Sequence, residues 1–232
     1  MKRLAKSLAV LLSMMSFSSV SAFENDMNPF IGIDYYTALM KGRDDYLSIF
    51  PKSYPGVTIY IGTKFHEYFG VELGFDTSGY RKKEWVIPAN SSFFNLTNGP
   101  TDIVGQTSIR RAGGHFDLFA TFPIVDCFDL TGAVGFGWIK PTINMNIISG
   151  PPGGSPLEAA LNSIQGKGKG FFRLGIGGSY MFTNIIGARG KVGWEGTSQL
   201  RVSGDQNFVN AGFREKAFKG STAFSLGIFS KF

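Results

Sequence analysis

Few residues of this chain are chemically versatile, and they lie far apart. It has two histidines, His66 and His115, and one cysteine, Cys127. A metal centre is announced in sequence by His, Cys or carboxylate groups at recurrent short spacing. Two remote histidines and no cysteine pair do not supply that, so no metal ligand is assigned. Cys127 has no partner for an intramolecular disulfide, and beside a turn it reads as a small apolar residue. Gly168 and Gly170 alternate with lysines but lack the spacing of a phosphate loop. Asn90-Ser91-Ser92 and Asn95-Leu96-Thr97 match a glycosylation pattern that is common by chance. The informative set is instead a series of ionisable residues placed at alternate positions among apolar ones: Asp34, Glu72, Asp76, His115, Asp117, Arg173, Arg189, Lys191 and Glu195, with Lys64 and Asp129 beside them. A histidine two residues from an acid, as in His115 and Asp117, lies on the same face of a strand. That pair is material for general acid–base catalysis. No serine in register with His115 can be identified, however, and the residue is expected to belong to a polar core. No catalytic residue and no cofactor is assigned.

The elements that carry these charges alternate with a period of two. Eight segments of about 10 to 15 residues can be laid out, the length that a tilted membrane strand requires. They run over 30–39, 57–65, 69–80, 107–122, 128–139, 169–182, 186–197 and 218–232. One face of each is nearly all apolar, for example Phe69, Val71, Leu73 and Phe75, while the other holds Gly70, Glu72, Gly74 and Asp76. The links at 66–68, 123–127 and 183–185 are short, and those at 40–56, 81–106, 140–168 and 198–217 are long. Strict alternation of short and long links is what a barrel with short periplasmic turns and long extracellular loops demands. A water-soluble eight-stranded barrel would put its apolar residues inside. Here the charged face must be the inner one, because a charge facing lipid at mid-membrane costs about 2–4 kcal/mol. Aromatic residues gather near strand ends, with Phe65, Phe69, Phe122, Phe128, Phe182 and Phe232 at one level and Trp138 and Trp194 at the other, as interfacial girdles do.

The two ends of the sequence agree with export. Met1–Ala22 carries Lys2, Arg3 and Lys6, an apolar run from Leu8 to Phe17, and the small residues Val20-Ser21-Ala22. This is the pattern of a signal peptide cleaved after Ala22, and its apolar run is too short for a membrane span. Its loss takes the net charge from +6 to +3, so the basic balance is partly a targeting feature and does not argue for nucleic-acid binding. The remainder, 23–232, is expected to be one domain. Phe232 closes an alternating strand with Phe224, Leu226 and Ile228.

Together the strand count, the loop alternation, the signal and the terminal Phe232 resemble the OmpA/OmpX/opacity class of small outer-membrane β-barrels of Gram-negative bacteria. The resemblance implies an all-β, eight-stranded antiparallel transmembrane barrel, monomeric and outer-membrane located, with Phe232 as the assembly signal for the barrel-assembly machinery. The further peptidoglycan-binding domain of OmpA proper is not expected after the eighth strand. The inward acids and bases are nearly balanced, and an eight-stranded barrel is just wide enough for side chains to fill it. The expectation is a plugged lumen, the alternative a narrow channel for ions or small solutes. Some members of the class modify lipid A with a His, a Ser and an acid, which makes an enzyme the third reading. The basic residues Arg81, Lys82, Lys83, Arg110 and Arg111, with Lys140, Lys167, Lys169, Lys216 and Lys219, stand at the outer strand ends. There they would form a collar contacting membrane lipid and lipopolysaccharide phosphates, unless they serve only loop solubility. Trp85-Val86-Ile87-Pro88 and Phe93-Phe94 would either present an interaction surface to a host or surface ligand or fold back as a cap. Pro156–Ile164 is expected to form a short helix. The expected role is structural or adhesin-like, without enzymatic activity.

Overall fold

The structure, a computed structural model, describes residues 27–42, 44–196, 201–210, 213 and 218–232. The export segment expected over 1–22 and the collar residue Lys216 lie outside the described residues, as does the side chain of Lys219. In chain order the elements are β1 (Asn28–Gly42), α1 (Asp44–Ile49), β2 (Ser53–Lys64), β3 (Phe69–Ser78), β4 (Arg81–Ile87), β5 (Ser92–Phe93), β6 (Leu96–Thr97), β7 (Ile103–Val125), β8 (Phe128–Ser149), α2 (Pro156–Asn162), β9 (Gln165–Lys167), β10 (Lys169–Met181), β11 (Ile186–Glu195), β12 (Arg201–Ser203), α3 (Gln206–Asn210) and β13 (Phe218–Lys231).

Eight antiparallel strands pair in the order β3-β2-β1-β13-β11-β10-β8-β7, and β3 pairs with β7 to close the ring. The wall is therefore an eight-stranded antiparallel barrel. No helix among the described residues is long and apolar enough to cross a membrane, and the strands are what cross. Each obeys the pleat, in which successive side chains take opposite faces. On β1, Ile31, Ile33, Tyr35 and Leu39 are exposed, while Asp34, Tyr36 and Ala38 are buried. On β13, Phe224, Leu226 and Ile228 point out and Phe229 points in. Exposures of 73% for Ile176, 69% for Leu226 and 66% for Phe136 are untenable in water over so wide a surface, and they mark a belt that lipid covers.

The wall extends past the membrane on one side. β7 and β8 have 23 and 22 residues, about twice what a crossing needs. β4 continues β3 along β7, with Thr77 opposite Ala112 and Arg81 opposite Ile109. Much of the segments expected as loops at 81–106 and 140–168 is thus strand. The cause is an inversion of the alternation. On β8 the outward residues change from Phe136 and Trp138 to Lys140, Asn144 and Asn146, while the inward ones change from Gly135 and Gly137 to Ile139, Ile143 and Met145. Water replaces lipid outside, and a folded core replaces the polar lumen inside.

That core is a cap over the outer mouth. Tyr46, Ile49 and Phe50 near α1, Trp85 and Ile87 of β4, Leu157 and Leu161 of α2, and Phe208 of α3 join one hydrophobic cluster with Ile103, Ile109 and Ile143. Trp85 Nε1 donates to Thr107 Oγ1 at 2.8 Å. α2 starts with a capping box. Glu158 N donates to Ser155 Oγ at 3.1 Å, and Ser155 N donates back to Glu158 Oε2 at 2.9 Å. Trp85 and Phe93-Phe94 pack into or against this cluster, so the cap reading holds for them and the open interaction surface does not.

The topology predicts that epitope tags inserted after Asn95 and Gly153 are labelled on intact cells, whereas a tag after Asn184 is labelled only after permeabilisation. All three positions are exposed in the structure, so labelling reports the side of the membrane and not burial.

Candidate functional site in the barrel interior

Parity decides which side chains enter the lumen, and glycines on neighbouring strands make room for them. Gly74 faces His115, Gly227 faces Asp34, and Gly135 lies between Asp117 and Arg173. A Cβ at Gly74 would overlap the His115 ring, and one at Gly135 or Gly227 would overlap the carboxylate beside it. Large polar side chains can therefore lie flat against the inner wall.

Three layers fill the interior. Toward the short turns, Phe30, Tyr60, Phe119 and Phe229 form an aromatic floor, with Phe30 edge-on to each of the other three at 5.8–6.3 Å. Beside it Lys64 and Asp129 pair across the lumen at 3.5 Å. Above lies the charged layer, centred on Arg189 of β11. Its guanidinium donates to Asp34 from Nε at 3.0 Å and from Nη2 at 2.8 Å, and reaches Glu72 through Nη1 and Nη2. Its carbon sits 3.2 Å from the centroid of the Tyr60 ring. Lys191 Nζ donates to Glu72 Oε1 at 3.0 Å. His115 Nδ1 meets Asp76 Oδ2 at 2.8 Å, and Thr58 Oγ1 donates to Asp76 Oδ1 at 2.5 Å. Arg173 approaches Asp76 and Asp117 at 3.7 Å each. Higher still, Arg111 Nη2 pairs with Glu195 Oε2 at 3.7 Å, and Ser221 Oγ donates to the same oxygen at 2.7 Å. The outer cap closes over this pair. Buried charges are tolerable in such a place only when paired and hydrogen-bonded, and this network pairs them.

All nine residues singled out for the lumen, Asp34, Glu72, Asp76, His115, Asp117, Arg173, Arg189, Lys191 and Glu195, meet in these layers. The collar residues divide. Lys82, Arg110 and Lys140 are exposed on the outer wall; Arg81 and Lys169 are exposed too but stand opposite the inward Ile109 and Ile139, and Lys167 is exposed on β9, which pairs with β12 outside the ring. Arg110 lies 6.0 Å from the Tyr80 ring centroid. Arg111 is a correction. It is 1% exposed and belongs inside, because it shares the parity of His115 and Asp117 on β7. Lys83 is a second correction. Its ammonium is half-buried and donates to the carbonyls of Leu47 and Phe50 at the end of α1. Burial and the nearby Lys52 charge hold that ammonium below its ordinary pKa. Phe232 is exposed, and its N–H donates to Pro29 O at 3.0 Å, tying it to the first strand. Tyr60, which carries no charge to mark it in the sequence, also lies inward, as its even position between Ile59 and Ile61 requires.

Among the described residues the ring partners of His115 are the acids Asp76, Glu72 and Asp117.

A closed ring of eight strands, an apolar outer belt and a charged, filled interior define a small transmembrane β-barrel of the outer-membrane type. No family model matches the chain, and no curated protein matches it. Solved structures resemble it across most of its length. A major outer membrane protein from Thermus thermophilus is 11% identical with a TM-score of 0.49, the match covering 90% of this chain and 100% of that one. OprG from Pseudomonas aeruginosa is 11% identical with a TM-score of 0.48, over 89% of this chain and 96% of that one. Ail, the attachment invasion locus protein of Yersinia pestis, solved with the heparin analogue sucrose octasulfate, is 12% identical with a TM-score of 0.41, over 89% and 98%.

The geometry ranks the charges. Arg189→Ala strands Asp34 and leaves Glu72 with Lys191 as its cation, and loss of one partner of a buried pair costs about 3–5 kcal/mol. Arg173→Ala removes only contacts at 3.7 Å and is expected to cost less. Urea titrations followed by the unheated, folded band on SDS gels will order the two variants.

Proposed function

We propose that this protein is a structural and surface-presenting barrel of the bacterial outer membrane, closed to solute flow, held among lipopolysaccharide by an outer basic collar, and without enzymatic activity. The observation that carries the proposal is the filling of the lumen. The aromatic floor around Phe30, the Arg189 network and the hydrophobic cap lie in series along the barrel axis. Two cavities beside the network are of about 50 and 60 Å³, room for a few water molecules each. A channel needs a continuous polar path, and the cap around Leu161 and Trp85 is apolar and packed.

Arg81, Lys82 and Arg110 support the collar. They stand on neighbouring strands just outside the apolar belt, with Tyr80 and Trp138 below them, at the height where lipopolysaccharide phosphates lie. Arginine and lysine there make charge-assisted pairs with phosphate. The polar outer face of the β4–β7–β8 extension, with Gln106, Asn144 and Asn146, would then stand among the sugars or toward a surface ligand. A single chain closes its own ring, so no second copy is needed to complete the wall.

Two measurements test this reading. In planar bilayers the purified barrel is expected to give no large, stable conductance, and porin-like openings would overturn the plugged lumen in favour of the channel. Replacing Arg81, Lys82 and Arg110 together by Gln is expected to lower the lipopolysaccharide that co-purifies, while the barrel stays folded. Unchanged retention would return these residues to simple loop solubility.

A further inference from the structure

Inside the charged layer, three acceptor atoms face one another. His115 Nε2 lies 3.7 Å from Glu72 Oε1 and 3.9 Å from Asp117 Oδ2, and ligand atoms of all three residues lie within 4.8 Å of one another. His115 Nδ1 meets the Asp76 carboxylate at 2.8 Å. A carboxylate is acceptor-only, so Nδ1 donates to Asp76, and Nε2 is the ring nitrogen that faces Glu72 and Asp117. An ion bound at Nε2 takes the place of any proton there, so binding is expected to strengthen as the pH rises. Asp117 is 5% exposed, and its Oδ1 accepts no hydrogen bond, its approach to Arg173 Nε being 3.7 Å. Tyr36, 7% exposed, also leaves its hydroxyl without a partner. Both residues line the same interior cavity of about 50 Å³ as Glu72 and His115.

We infer that Glu72, His115 and Asp117 form a binding site for one divalent transition-metal ion of the zinc or cobalt kind. Tetrahedral bonds of about 2.0–2.2 Å set ligand atoms roughly 3.4 Å apart, so the two edges at His115, 3.7 and 3.9 Å, need to contract by a few tenths of an ångström, and the Glu72–Asp117 edge, within 4.8 Å, must close to the same length. One imidazole and two carboxylates suit such ions. Asp76 behind Nδ1 supplies the outer carboxylate that fixes the ring of a metal-bound histidine. The cavity leaves room for water as a fourth ligand, with the Tyr36 hydroxyl lining the same space. Charge permits it. Around the triangle five carboxylates, Asp34, Glu72, Asp76, Asp117 and Glu195, outnumber the four fixed cations Arg111, Arg173, Arg189 and Lys191 among the described residues. The competitors are Lys191 and Arg189, whose Nζ and Nη2 already hold Glu72 Oε1 at 3.0 and 3.2 Å, so the ion must displace both from that oxygen.

The test is titration of the detergent-purified, chelator-stripped barrel with Co²⁺ and Zn²⁺, followed by calorimetry, metal content and the visible absorption of Co²⁺. One ion per chain is expected. Asp117→Asn and His115→Ala should abolish stoichiometric binding, and Asp76→Asn should weaken it by about 10–100-fold. Lys191→Met should tighten it, and His66→Ala should leave it unchanged. Only variants that keep a folded band on unheated gels are scored. If the ligand variants do not fold, the wild-type stoichiometry and the direction of the Lys191→Met shift decide. Failure of both wild type and Lys191→Met to bind one equivalent, or binding that is lost with His66 instead, overturns the site. None of these outcomes bears on the collar or on conductance.

Discussion

A sheet that crosses lipid has no water to satisfy an open edge, and every other feature of this protein follows from that constraint. Each unpaired backbone N–H or C=O in the hydrocarbon layer costs several kcal/mol, so the pairing of β3 with β7 that closes the ring is obligatory. Closure with eight strands fixes a narrow interior. The pleat then sends half of all side chains into that interior, whatever their size and charge. The glycines at 74, 135 and 227 are the other side of the same constraint, because a ring this tight cannot hold a Cβ opposite every histidine and carboxylate.

Within that space, charge has to be organised. Arg189 is held by two acids and lies against an aromatic face, so one rigid guanidinium ties β1, β2, β3 and β11 together through side chains as well as through the wall. Replacing such a network with apolar residues of the same shape can be neutral or stabilising, whereas removing one partner is not. The network is therefore weak as an argument for stability and stronger as an argument for a specific interior.

Outside the membrane the same strands run under opposite rules. From Ile139 onward β8 turns its apolar residues inward and its polar ones outward. The register with β7 continues unbroken from Phe116–Phe136 to Ile109–Ile143. This is why a scan for apolar-outward segments stops near residue 139 while the strand runs ten residues further. The helices over the mouth were only partly legible. Pro156–Asn162 announces itself through Ser155, Pro156 and Glu158, but Asp44–Ile49 has no comparable capping signal and depends on Lys83, a residue far along the chain, for contacts at its last carbonyls.

The sequence by itself determined the class of fold, the number of membrane strands, the order of short and long links and the side of the wall on which the nine lumen charges stand. All of these depend on a local period of two and on the high cost of charge in lipid. Parity even contained the place of Arg111, since it matches that of His115 and Asp117. What only the tertiary structure decided is which charges meet. Asp34 and Arg189 are 155 positions apart, and Glu72 and Arg189 are 117 apart. Their contact depends on strand register and shear, which no local pattern encodes. The same holds for Lys83, turned from a surface charge into a helix anchor, and for Trp85 and Phe93, turned from exposed loop residues into parts of a cap. Their environments are made by elements brought together only when the ring closes.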